Sequence, residues 1–193
     1  KGLTDAVWMP SVFGVTGSED LGGGMKASFN LESDVNMDRG DLSAASGKKL
    51  FGRKSNVALA GNFGELKVGK DIDQIFLQGF VDNIRNSHSA SGFMAHALKD
   101  AQWWNGLSDF DYVNQQSVFT QNMVRYTTPT FNGLKASVQH SFGEVAGQTS
   151  QNKSDSILVN YAVNNFTLAA GYKKVKDVFG DGYDNKLTYI GGT

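Results

Sequence analysis

Between Met25 and Ser33 the chain alternates strictly: Met25, Ala27, Phe29 and Leu31 hold one parity, and Lys26, Ser28, Asn30 and Glu32 hold the other. Only an extended strand sends successive side chains to opposite faces, so this segment presents one apolar and one polar surface. A helix would spread the same residues around its circumference. The segment 134–142 repeats the pattern, with Leu134, Ala136, Val138 and Phe142 against Lys135, Ser137, Gln139 and Ser141; His140 falls on the apolar side. Phe166, Leu168, Ala170 and Tyr172 stand in the same way against Thr167, Ala169, Gly171 and Lys173.

The connections alternate too. Glu19-Asp20-Leu21-Gly22-Gly23-Gly24, Gly61-Asn62-Phe63-Gly64, Thr130-Phe131-Asn132-Gly133 and Asn164-Asn165 are short and carry the Gly and Asn that tight hairpins require. The segments 34–49, 143–155 and 175–185 are longer and polar. Short turns at one end and long loops at the other are the layout of a membrane β-barrel. A soluble β-sandwich produces a less regular version of it. The pattern predicts nine strands, at 11–18, 25–33, 50–60, 65–70, 122–129, 134–142, 156–163, 166–174 and 186–191. About fifty residues separate the fourth from the fifth, a length that marks either a functional connection or a misassigned stretch. Within it Phe93, Ala97, Ala101 and Trp104 recur at helical spacing behind a possible cap at Ser91, which predicts a short helix.

Composition narrows the function. With no Cys among 193 residues there is no disulfide framework, thiolate metal site or cysteine nucleophile. A formal net charge of -1, from 18 basic and 19 acidic residues spread along the chain, argues against nucleic acid as a partner. The mean hydropathy is -0.31 and no run approaches the roughly eighteen apolar residues of a membrane helix. A membrane barrel passes that test, because only alternate residues of its strands meet lipid. The chain opens on Lys1 without a leader sequence, so any export signal is expected to be removed or to lie outside it.

The segments Gly17-Ser18-Glu19-Asp20-Leu21-Gly22-Gly23-Gly24-Met25-Lys26-Ala27, Leu50-Phe51-Gly52-Arg53, Gly61-Asn62-Phe63-Gly64 and Val124-Arg125-Tyr126-Thr127-Thr128-Pro129 occur in that order. Together they resemble the general porins of Gram-negative bacteria, of the beta-proteobacterial and neisserial kind. The resemblance implies an all-β fold, a transmembrane antiparallel barrel of about sixteen strands. It further implies a homotrimer, set among outer-membrane lipid and lipopolysaccharide, that passes small hydrophilic solutes and ions by passive diffusion. No cofactor, metal or catalytic activity is implied. In the family the third extracellular loop folds into the lumen, a role that falls here to the fifty-residue connection. The family also begins one strand before Lys1 and ends on an aromatic residue, whereas this chain ends in Gly191-Gly192-Thr193. Residues 1–193 are therefore expected to be one incomplete barrel domain, about the N-terminal half to two-thirds of a longer protein.

Parity assigns the faces. Lys26, Ser28, Asn30, Glu32, Lys67, Arg125, Thr127, Lys135, Ser137, Gln139, Thr167 and Lys173 would face water. Phe13, Val15, Met25, Phe29, Leu31, Leu66, Val68, Val124, Tyr126, Leu134, Val138, Phe166, Leu168 and Tyr172 would face lipid or a neighbouring subunit. Arg53 shares the parity of Val57 and Leu59, so a bulge near Gly52 is needed to bring it to the lumen, where the resemblance places an arginine. The candidate pore-lining basic wall is Lys26, Arg53, Lys67, Arg125 and Lys135. The candidate constriction acids, all in or near the long connection, are Asp71, Asp73, Asp82, Asp100, Asp109 and Asp111. Opposed charges across a narrow pore set its selectivity. Arginines are common in the family at the positions of Val12 and Thr16, and their absence here points to weak selectivity.

Other signals have plainer readings. Trp103-Trp104 could stack sugars but fit core packing that anchors the connection. The stretch 177–184, rich in Asp and Gly, lacks the spacing and final Glu of a calcium loop. His88 and His96 are poorly spaced for a metal pair, and no nucleophile or phosphate-binding motif is present. The alternative from a different class is an extracellular β-sheet adhesin or carbohydrate-binding module.

Overall fold

The structure, a computed structural model, describes residues 11–42, 48–78, 119–143, 146–147, 150–177, 182 and 184–192. Asp82, Asp100, Asp109, Asp111, His88, His96, Trp103, Trp104 and the helix expected from Ser91 lie outside the described residues. Ten strands are described: β1 (Ser11–Gly22), β2 (Met25–Asn36), β3 (Asp41–Leu42), β4 (Lys54–Gly61), β5 (Gly64–Ile72), β6 (Phe119–Thr127), β7 (Leu134–Ser141), β8 (Ser154–Val163), β9 (Phe166–Val175) and β10 (Asn185–Gly192). All nine expected strands are there, most of them longer than expected. The tenth, β3, is a two-residue strand on β2. A helical segment at 74–78 begins the long connection.

The strands form one antiparallel sheet in the order β1-β2-β4-β5-β6-β7-β8-β9-β10, each beside its neighbour in sequence apart from β3. Such a meander uses only hairpins. At the short-turn end Asn132 and Gly133 both take positive φ, 48° and 81°, which reverses the chain with the twist that antiparallel strands need. Among the described residues, β1 and β10 form the two edges of the sheet.

The sheet is polar where a soluble protein is apolar. Phe13, Val15, Met25, Phe29, Leu66, Val68, Val124, Tyr126, Leu134, Val138, Phe166, Leu168 and Tyr172, thirteen of the fourteen residues assigned by parity to lipid, are all exposed. Leu31 is half-buried. Among the described residues most buried positions are polar, including Asn56, Asp71, Asp73, Gln74, Thr120, Arg125, Ser137, Gln139, Ser156 and Lys173, beside a smaller apolar set of Ala58, Ile75, Phe119, Met123, Leu158 and Ala169. Water would penalise the first arrangement at every strand. Lipid on one side and water on the other accounts for both faces.

Register shows how continuous each face is. Leu59, Leu66, Tyr126, Val138, Ile157 and Tyr172 lie directly opposite one another in an unbroken apolar row from β4 to β9. The neighbouring row on that face runs Phe29, Val57, Val68, Val124, His140, Asp155, Lys174 and Lys186, and turns from apolar to charged at β7. Strands of a membrane barrel are tilted, so a row of paired residues climbs relative to the membrane as it crosses the sheet. By β7 this row has left the apolar band.

The two faces should respond oppositely to charge. Val138→Arg in the full-length protein is expected to lower stability in lipid bilayers by about 2–4 kcal/mol. Asn160→Arg, on the polar face opposite Lys135, should stay within about 0.5 kcal/mol. Urea unfolding from vesicles measures both.

Candidate channel wall

One row of the polar face carries the chemistry. Lys67, Arg125, Gln139, Ser156 and Lys173 are directly paired across β5 to β9, so their side chains stand side by side. Arg125 is held on three sides: Nε donates to Gln139 Oε1 at 2.8 Å, Nη2 to the Ile72 carbonyl at 2.8 Å and Nη1 to Asp71 Oδ2 at 3.4 Å. Lys67 Nζ donates to the same Asp71 oxygen at 3.2 Å. Asp71 thus lies between two cations, and the planar guanidinium is locked by several acceptors at once.

Asp73 is the most enclosed acid among the described residues, with no solvent exposure. Its Oδ1 accepts from the backbone N–H groups of Ile75 and Phe76 at 3.0 and 3.2 Å, which caps the helical segment 74–78. Its Oδ2 lies 3.1 Å from Lys173 Nζ and accepts from Thr120 Oγ1 at 3.1 Å and Gln139 Nε2 at 3.3 Å. Next to it, Gln74 Nε2 donates to Ser156 Oγ at 2.9 Å, while Gln74 Oε1 accepts from Ser137 Oγ. Ile75, 1% exposed, lies over Gly171, where Leu158 of β8 also approaches. The first residues of the long connection therefore leave β5 and lie over β6 to β9 on the polar face.

A second network stands at the long-loop end of β2 and β4. Arg53 Nε lies 3.1 Å from Glu32 Oε2 and Nη1 lies 3.1 Å from Asp34 Oδ1; Lys54 Nζ is 2.9 Å from Glu32 Oε1. The guanidinium also stands 5.7 Å from the centre of the Phe119 ring. No bulge inside a strand was needed to turn Arg53. β4 starts at Lys54, and the chain before it bends at Phe51, whose φ is 54°, so Arg53 escapes strand alternation and shares Glu32 with its neighbour.

The expected basic wall thus divides. Arg53, Lys67 and Arg125 are tied into ion pairs, whereas Lys26 and Lys135 are exposed and enter no ion pair among the described residues. Lys135 edges a cleft of about 500 Å³ below the start of the long connection, lined also by Glu65, Gln74, Arg125, Ser137 and Asn160. Of the expected acids, Asp71 and Asp73 come together on the wall. Asp34, Lys54, Gln74 and Thr120 were not singled out from sequence, and Glu32 and Lys173 were assigned only a face. A signal existed in β9, where Ala169 and Gly171 interrupt the polar parity with small residues. Small residues there leave room for something to pack.

At the edge of the apolar band His140 Nδ1 lies 2.7 Å from Asp155 Oδ1. Beyond β9, Gly182 N–H donates to Asp177 Oδ1 at 2.7 Å and Asp177 N–H to Asp184 Oδ1 at 3.3 Å, so Asp177 and Asp184 both accept from backbone amides. Lys174 Nζ, 2.6 Å from Asp184 Oδ2, holds the Asp184 carboxyl below its ordinary value of 3.8. The pair should stabilise the fold above that pH and weaken as pH falls through the depressed value. In an NMR titration Asp184 should ionise below 3.8, and Lys174→Met should move it back up.

A wall with one apolar and one polar face, built as a continuous meander, is that of a membrane β-barrel. A family model described as Gram-negative porin matches residues 1–193, and the chain belongs to that family. It is 31% identical over 134 residues to outer membrane porin protein 32 of Delftia acidovorans, covering 69% of this chain and 35% of that one. It is 27% identical to the major outer membrane protein P.IB of Neisseria meningitidis, covering 96% of this chain and 53% of that protein. The fold matches an anion-selective porin from Comamonas acidovorans with a TM-score of 0.70 at 24% identity, over 99% of this chain and 55% of that one. The chain spans between about a third and a half of these proteins. Its place is the outer membrane, as an integral protein.

Proposed function

We propose that the full-length protein is a passive diffusion channel, without catalytic activity, for small hydrophilic solutes and ions, and that it works as a homotrimer. The inversion of the faces carries this reading. A polar row of half-buried Lys67 and buried Arg125, Gln139, Ser156 and Lys173 on one side of a sheet, with exposed Leu, Val, Phe and Tyr on the other, suits a wall between water and lipid. An adhesin or carbohydrate-binding module in water has no use for such an apolar exterior. The exposed apolar surface extends to β1, β2 and β4 through Phe13, Val15, Phe29, Val57 and Leu59, and offers area for a second and third copy as well as for lipid.

Three kinds of group line the proposed lumen. Paired charges such as Arg125 with Asp71 fix the wall in place. Exposed Lys26 and Lys135 act on passing ions. Asp71 and Asp73 are paired with cations on the wall itself, and Asp82, Asp100, Asp109 and Asp111 of the long connection are the acids proposed to oppose Lys26 and Lys135 across the pore. A field between the two sides orients dipolar solutes and disfavours apolar ones. Because the arginines of this wall are neutralised by neighbouring carboxylates, selectivity between anions and cations is modest. At the outer edge, lipid and lipopolysaccharide meet the row from His140 to Lys186.

Planar-bilayer recording of the full-length protein tests this. Unit conductance steps and a weak reversal potential in a salt gradient are expected; purified trimer without any steps would contradict the channel. Lys135→Glu should move the reversal potential towards cations, and an unchanged value would remove Lys135 from the ion path.

A further inference from the structure

Asp73 is the first residue after β5, yet it pairs with Lys173 on β9. Four strand spacings separate β5 from β9 in the sheet, roughly 19 Å measured along the wall. No lysine side chain bridges that distance. The chain must leave the wall at Ile72 and run as a chord over the polar face, and the contacts along it follow the strands in turn. Thr120 of β6, Gln139 and Ser137 of β7, Ser156 of β8, and Lys173 and Gly171 of β9 all meet residues 73–75.

One carboxylate does most of the holding. Oδ1 of Asp73 caps the helical segment and so sets the direction in which it starts. Oδ2 receives Lys173, Thr120 and Gln139 and so sets where it lies. The Lys173 side chain is only 3% exposed and Asp73 is fully enclosed, so the pair meets away from water, where its charges attract strongly. We infer that Asp73 and Lys173 form the latch that holds segment 73–78 at a fixed height above the wall, and thereby set the free cross-section of the lumen at that level. This rests on the polar face being a water-filled channel. Asp73 is a positioning residue, with an effect on permeation that runs through the placement of 73–78.

Single-channel recording of the full-length protein separates positioning from direct charge. Asp73→Asn keeps an oxygen for the helical cap and removes a negative charge; Lys173→Gln removes the positive one. Charge acting directly on passing ions would drive conductance in opposite directions in the two variants. A loosened latch changes both in the same direction, with a severalfold rise in open-channel current noise. Rescue supplies the second readout. This chain has no Cys, and a Cβ placed on Gly171 would lie 3.2 Å from Ile75 Cγ1, close enough for Ile75→Cys and Gly171→Cys to form a disulfide.

In the Asp73→Asn background the oxidised pair should restore quiet steps of native size, and reduction should bring the noise back. Failure of the cysteines to cross-link, native noise and conductance in both single variants, opposite conductance changes, or noise unaffected by a completed cross-link would each overturn the latch. A wild-type protein with no unit conductance would instead overturn the channel reading on which it rests.

Discussion

Backbone amides in lipid have no water to bond to, and everything in this wall follows from that. Each strand must give its donors and acceptors to two neighbours, which produces the uninterrupted ladder from β1 to β10. Once the ladder is complete, side chains are the only variable. Period-two geometry then forces each strand to hold lipid-facing and water-facing residues in alternation, and a shift of one residue would put Arg125 and Lys173 into the bilayer. The register is therefore set by solvation on both sides of the sheet. Tilt adds the last element, since it lifts the row that begins at Phe29 out of the apolar band by His140, where charge becomes tolerable.

Inside the barrel the constraint is different. Side chains on the polar face cannot stabilise the wall by withdrawing from water as an apolar core does. They bond to one another instead, in two clusters centred on Arg125 with Asp71 and Asp73, and on Arg53 with Glu32 and Asp34. Both clusters lie where a long connection meets the sheet. Ile75 against Gly171, with Leu158 close by, is a small apolar contact inside this polar setting. It shows why the β9 row carries glycine at that point, because a larger residue would press on the segment above it.

Strands were legible in the sequence because alternation over eight or more residues is a strong signal, and hairpins in sequence order left little choice of topology. β3 was not legible, since two residues have no period. Faces were equally clear, down to Lys173 on the polar side. The partners on that side were not. Nothing near Asp73 announces Lys173, a hundred residues away, because their meeting depends on how the sheet curves across the three strands between β5 and β9. Arg53 shows the complementary failure: parity gave it the wrong face because parity stops at the strand end, one residue further along at Lys54.

The central claim, that one face of this sheet lies in lipid, is most directly tested on β9. Single cysteines at positions 167, 168, 169, 170, 171 and 172 of the full-length protein can carry a small fluorophore and be exposed to brominated lipid in bilayers. Strong quenching at 168, 170 and 172, with little at 167, 169 and 171, is the expected result. Quenching that is uniform along the strand, or absent throughout, would contradict the account.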